Sequence, residues 1–322
     1  MSSHFHKQTT TFIRKYAGYT FVLMSLVILF TGVVSPQSNR FFWPIIKGTS
    51  PKLAGISSTF GESRTDHFHA GIDIAGIDMP VKPMAGGKLL YYRFQSMNPY
   101  QPMAATGNQV WIDHGEGWWS GYYHLSEFRM NQRYTEKDRI IATSGNTGRS
   151  GGPHLHFILT KDYGTVFVNP MIANLSQAEE NNAPVITHLV FITDNGISRL
   201  LPNDETEIHK IRLTRHYPLY IELKDPGLEA GSRRSPKLVE WSFSNSDNVT
   251  TKGNIDFQSI DLHDGNLLLN SQSEFDAVYF DEFLKLGDPE IMNGINKLTV
   301  KAIDYSGNET TENFVIDVKR EY

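Results

Sequence analysis

The sequence predicts a mainly β protein: an antiparallel β-sheet domain followed by a β-sandwich, with a hydrophobic helix at the N-terminus. Three observations carry this. The chain has 322 residues, and at roughly 100–200 residues per domain that length predicts two domains. Beyond the N-terminal forty residues no long stretch of 3.6-residue periodicity appears, whereas short alternating runs rich in β-formers recur between Gly, Pro and Asx turns. A basic flank followed by an apolar run opens the chain.

In chain order, Lys7, Arg14 and Lys15 precede an uncharged stretch from Tyr16 to Asn39, whose centre reads FVLMSLVILF. This is the pattern of an export signal, and the run is close to the length of a short membrane span. Residues 1–35 therefore read as a signal peptide or a membrane anchor, with residues 16–34 as the anchoring part and the basic end in the cytoplasm. Pro36 and the lack of an A-x-A-like site favour the uncleaved form, and without a Cys after the run there is no lipoprotein anchor. Either form places the rest of the chain in the periplasm or cell envelope. Residues 36–41 suit a linker. Residues 42–178 read as the first domain, with strands such as Lys88–Tyr92 and Gln109–Asp113. The polar stretch 175–184 ends in Pro184 and marks the boundary. Residues 185–322 read as the second domain, with strands at Val185–Thr193, Ile197–Leu201, Leu219–Leu223, Leu238–Phe243, Lys297–Ile303 and Asn313–Val318. That spacing suggests a sandwich.

Composition narrows the chemistry. The formal charge of −5 and the absence of a basic stripe argue against nucleic-acid binding. With no cysteine in the chain, a metal has to be held by histidine and carboxylate.

The 12 histidines supply candidates. His154-Leu155-His156-Phe157 reads as a strand, so His154 and His156 share one face while Leu155 and Phe157 share the other. In an extended chain His69, Gly71 and Asp73 also share a face, and Gly71 leaves room for a site between them. Two imidazoles and a carboxylate suit zinc, and three protein ligands with an open position define a catalytic site. His124, in Tyr122-Tyr123-His124-Leu125, adds an imidazole from another strand. Each fragment alone is ordinary. Their joint appearance in one β domain is what points to a metal centre. His67 reads as a solvated histidine and His114 as a hydrogen-bonding residue of an Asp-His-Gly turn.

These stretches, with Trp43-Pro44, Ser58–Gly61, Gly107–Val110, Asp113–Gly115, Gly145–Gly148 and Gly152-Pro153, resemble the lysostaphin/LytM-type zinc metallopeptidases in order and spacing over about residues 42–172. The resemblance implies one Zn2+ per chain held by His69, Asp73 and His156. It implies that His154 handles the proton of a metal-activated water. His124 would orient that water or stabilise the oxyanion. Asn108 and Tyr123 match positions near the substrate groove. Residues 78–81 (Asp-Met-Pro-Val) depart from the family's usual Gly-Thr-Pro-Val. With no H-E-x-x-H motif, the Glu base of that protease class is missing and histidines take its place.

The expected function is an exported zinc endopeptidase that cuts peptidoglycan stem or cross-bridge peptides. Two alternatives stand beside it: a non-enzymatic activator or scaffold for other wall hydrolases, marked by degenerate ligands, and a peptidase acting on extracellular proteins. The last hairpin resembles those of immunoglobulin-like modules, and that domain reads as a wall binder, the site of a protein partner, or a spacer.

Overall fold

The computed structural model describes residues 41–45, 55–172, 181–226 and 234–321. The predicted N-terminal helix and the linker up to Arg40 lie outside these residues, as does the end of the first domain beyond Ile172. The described protein is mainly β.

The first domain is organised on one large antiparallel sheet. At its centre runs His154–Lys161, the longest strand of this domain. It pairs on one side with Ile72–Ala75 and on the other with Trp119–Tyr123. Gln109–Asp113 and Gly87–Arg93 continue the sheet outward. The pleat sorts the side chains. Ile72, Ile74, Tyr122, Leu155 and Phe157 are fully buried on the core face. Asp73, Tyr123, His154 and His156 emerge on the other, as the period-two alternation requires. A small separate sheet joins Pro80–Val81, Ala142–Thr143 and Glu127–Phe128. Asp78 leads into it at φ 55°. Asp is among the few residues other than Gly that enter the left-handed region readily, so Asp78 suits this turn.

The second domain contains two five-stranded sheets. One is built on Val185–Thr193 and Leu219–Lys224, the other on Leu238–Ser244, Gly294–Ile303 and Glu309–Arg320. Their inward residues, among them Leu189, Ile221, Trp241, Val300 and Phe314, share one core. One pairing is parallel, between His209–Leu213 and Glu309–Arg320.

The two domains are less separate than the sequence suggests. The hairpin Ser259–His263/Asn266–Leu269 leaves the sandwich and extends the first domain's sheet, pairing antiparallel with Val166–Val168. Phe257, Ile260 and Leu269 are buried in the same core as Phe60, Phe68 and Ile72. The predicted second domain thus supplies two strands to the first, because the exposed edge at Val166–Val168 offers unpaired backbone groups that a strand can satisfy.

Candidate metal centre

Register alone assembles most of the site. His156 stands opposite Asp73 on one neighbouring strand and opposite Tyr123 on the other. Residues directly opposite in a sheet share a face, so these three side chains form a row across three strands. His154 lies two residues before His156, beside it. His69 arrives differently. The strand begins only at Ile72, so His69 and Gly71 precede it, whereas the sequence suggests one extended run from His69 to Asp73. Its backbone instead bonds to the turn before it, with His69 N–H donating to Glu62 O at 2.9 Å and Gly61 N–H donating to His69 O at 2.8 Å.

His69 Nε2, Asp73 Oδ1 and His156 Nδ1 converge. The separations are 3.2 Å between His69 and Asp73, 2.7 Å between His156 and Asp73, and 3.0 Å between the two imidazoles. Ligand atoms about 2.0–2.1 Å from a tetrahedral zinc lie about 3.4 Å apart, so the set needs only a slight outward adjustment to enclose the ion. Asp73 and His69 are almost fully buried, and two neutral imidazoles with one carboxylate make a borderline-soft donor set that fits zinc.

Supporting contacts fix the tautomers. His69 Nδ1–H donates to Thr59 O at 2.7 Å, leaving Nε2 with a lone pair towards the cluster. His154 Nδ1–H donates to Gly152 O at 2.7 Å, with Ser150 Oγ 3.2 Å away. Its Nε2 faces Asp73 Oδ1 at the longer distance of 3.5 Å. His124 follows Tyr123 at φ 59°, and this left-handed turn brings its ring to 4.7 Å from that of His154. His124 Nδ1–H donates to Thr147 O at 2.8 Å.

Asp73 Oδ2 accepts from Arg64 at 2.8 Å, and Arg64 also reaches Ser58 Oγ at 2.7 Å and Glu62 at 3.2 Å. Burial alone would raise the Asp73 pKa; in the metal-free site a proton on the facing His69 or His156 nitrogen, through its charge and its hydrogen bond, outweighs burial and holds the carboxyl well below its ordinary range. Burial depresses His156 as well, against the pull of Asp73. His124 is pushed down to about 4, chiefly by burial and partly by the neighbouring histidines, so it is neutral near pH 7. Burial pushes the Tyr123 hydroxyl up to about 12, and its ring stacks on His156 at 5.4 Å and 23°.

Asn108 is buried, and both ends of its amide are used within the protein. Its Oδ1 accepts from Gln95 N–H and its Nδ2 donates to Leu125 O, each at 2.9 Å. These two bonds tie the Asn108 side chain to Gln95 and Leu125. His67 is exposed beside Asp66, and His114 bonds to Gly86 O and Ser120, as read from the sequence. Thr59, Glu62, Arg64 and Thr147 escaped sequence reasoning, because only the fold brings them to the ligands.

Gly71 does what its lack of a side chain suggested. A Cβ there would lie 2.5 Å from Phe157 O and 3.0 Å from His156 Nε2. Gly71→Ala is therefore expected to displace His156 and weaken zinc binding by about tenfold or more. Chelator competition on the purified variant measures this, and unchanged affinity contradicts it. Glu62 gives a pH signature. Burial, opposed by Arg64, pushes its carboxyl from 4.5 up to about 8. The folded protein then holds a proton that the unfolded chain releases, so this contribution to stability is full below about pH 4.5 and lost as pH rises through about 8. Glu62→Gln should flatten that part of the thermal-stability profile. Parallel melting curves for both proteins between about pH 5 and pH 9 would refute it.

Comparison with known proteins agrees with the geometry. The model of peptidase family M23 matches residues 67–170. This segment is an M23 peptidase domain. Peptidoglycan DD-endopeptidase ShyA of Vibrio cholerae is 37% identical over 112 residues, covering 34% of this chain and 24% of the relative. DD-carboxypeptidase/endopeptidase Mpg of Neisseria meningitidis serogroup B is 35% identical over 108 residues, covering 32% and 23%. Cell division protein DipM of Caulobacter vibrioides is 29% identical over 127 residues, covering 39% and 19%. The chain thus spans about a fifth to a quarter of the length of these relatives.

Proposed function

We propose that the M23 domain is a zinc-dependent endopeptidase that hydrolyses peptide cross-links of bacterial peptidoglycan outside the cytoplasmic membrane. The observation that carries this is the convergence of His69, Asp73 and His156, whose ligand atoms all lie within 4.8 Å of one another, with His154 and His124 beside them. The relative named peptidoglycan DD-endopeptidase ShyA supports the substrate class, and the one named DD-carboxypeptidase/endopeptidase Mpg supports the reaction.

His69, Asp73 and His156 hold the metal. When bound, zinc supplies a Lewis acid that polarises the scissile carbonyl and lowers the pKa of water towards 7. His154 presents Nε2 as an acceptor, since its N–H is spent on Gly152 O, and takes the proton of the attacking water before passing it to the leaving amine. His124 is neutral with its only N–H spent on Thr147 O. Its Nε2 is therefore an acceptor, which suits orienting water better than donating to an oxyanion. Tyr123, stacked on His156, is placed to contact a substrate bound at the metal. A purely non-enzymatic scaffold would not need this intact cluster.

Export rests on the basic flank and apolar run of residues 7–34. Among the described residues no helix is long and apolar enough to cross a membrane. Incubating the purified chain with zinc and purified peptidoglycan, then identifying released peptides by mass spectrometry, tests the proposal. Release of cross-link fragments is expected. A zinc-loaded protein that releases none while cleaving a polypeptide would move the substrate to extracellular proteins.

A further inference from the structure

The turn Ser58–Arg64 lies between the metal ligands and the second domain, and Thr59 bonds to both. Its carbonyl accepts the Nδ1–H of His69 at 2.7 Å. Its hydroxyl grips both backbone groups of a single second-domain residue. Thr59 Oγ1 donates to Ser235 O at 3.1 Å and accepts from Ser235 N–H at 2.7 Å. Its own N–H donates to Glu62 Oε2 at 3.2 Å. Thr59 is 1% exposed and Ser235 7%, so water does not replace these bonds. Two further contacts from the second domain hold this turn and the strand that leads into it. Arg234 donates from Nε to Ile56 O at 2.9 Å and from a terminal nitrogen at 2.6 Å. Phe257 fills the space over Gly61, where a Cβ would lie 2.3 Å from its ring.

We infer that the second domain is part of the metal centre's support: through Ser235 and Thr59 it fixes the tautomer and orientation of His69, and so sets the affinity of the site for zinc. This rests on the reading of His69 as a zinc ligand. The physical basis is the carbonyl that holds a ligating imidazole. Loss of such a partner typically costs 10–100-fold in metal affinity. Here that carbonyl belongs to a residue whose side chain is anchored in the other domain. Thr59 is a positioning residue in this scheme. It does not reach the reacting atoms.

The experiment uses the full chain, with Zn2+ alone as the probe in chelator competition. Thr59→Val keeps the shape and the backbone carbonyl but removes both bonds to Ser235. It should weaken zinc binding by about tenfold or more, and Thr59→Ser, which keeps the hydroxyl, should restore wild-type affinity. A residue with only a structural role would lower the melting temperature and leave the zinc affinity of the folded protein unchanged. That outcome for a folded Thr59→Val overturns the inference. If Thr59→Val does not fold, Thr59→Ala removes the same two bonds without placing a second methyl in the buried site, and a folded Thr59→Ala protein with wild-type affinity overturns it. Failure of the wild-type protein to bind zinc defeats the metal reading itself and is a different result from either.

Discussion

Purified Asp73→Asn protein is expected to fold and to carry no zinc, and with the zinc all peptidase activity is lost. Asp73 is the junction of the site. Its Oδ1 lies 2.7 Å from His156, 3.2 Å from His69 and 3.5 Å from His154, while Oδ2 is held by Arg64 at 2.8 Å. The amide keeps the shape and the acceptor oxygen. It removes the only negative charge among the three ligands, and a neutral site must then bind a dication next to the Arg64 guanidinium. Loss of a supporting partner costs 10–100-fold in affinity, and loss of the charged ligand should cost more, over about 100-fold. His69→Ala should have the same effect by deleting a donor. Metal stoichiometry by elemental analysis, together with peptide release from peptidoglycan, measures both. Stoichiometric zinc with normal turnover in Asp73→Asn would sink the ligand assignment.

The legible part of this site was the part written in local periodicity. The face shared by His154 and His156 follows from strand pleating, and the buried Leu155 and Phe157 on the opposite face complete that pattern. The sandwich strand Val185–Thr193 and the hairpin of Gly294–Ile303 with Glu309–Arg320 were legible for the same reason. The His69–Asp73 segment was half legible. Its residue types announced ligands, but its geometry depends on His69 bonding back to Gly61 and Glu62, which alternation does not encode. Least legible were Thr59 and Arg64, and the pairing of Val166–Val168 with Ser259–His263. The strand pairing and the Thr59–Ser235 bonds join segments far apart in the chain, whereas Arg64 reaches Asp73 across nine residues through a turn that alternation does not encode. A strand such as Ser259–His263 carries no mark of which sheet edge it will extend, since backbone hydrogen bonds are common to all sequences.

Substitution of His154 separates ligand from catalyst. His154→Ala should keep zinc at close to wild-type affinity and lower kcat by about 10²–10⁴-fold, the range for loss of a positioned proton-transfer group. The geometry distinguishes it from its neighbour on the same strand face. His156 Nδ1 lies 2.7 Å from Asp73 Oδ1 and 3.0 Å from His69 Nε2, whereas His154 Nε2 lies 3.5 Å from Asp73 Oδ1. The Gly152 carbonyl and Ser150 hydroxyl fix its ring from behind, so the lone pair on Nε2 is held towards the cleft with little freedom to swing into the metal position. A group held near a metal but outside its donor set can take a proton from water without competing for the ion. His124→Ala should have a smaller effect on kcat, because that imidazole orients water without carrying the proton away. Two measurements on one preparation decide the matter: zinc affinity by chelator competition, and kcat at saturating substrate. If His154→Ala loses zinc in parallel with activity, His154 is a ligand and the proton must pass through another group, with His124 the nearest candidate.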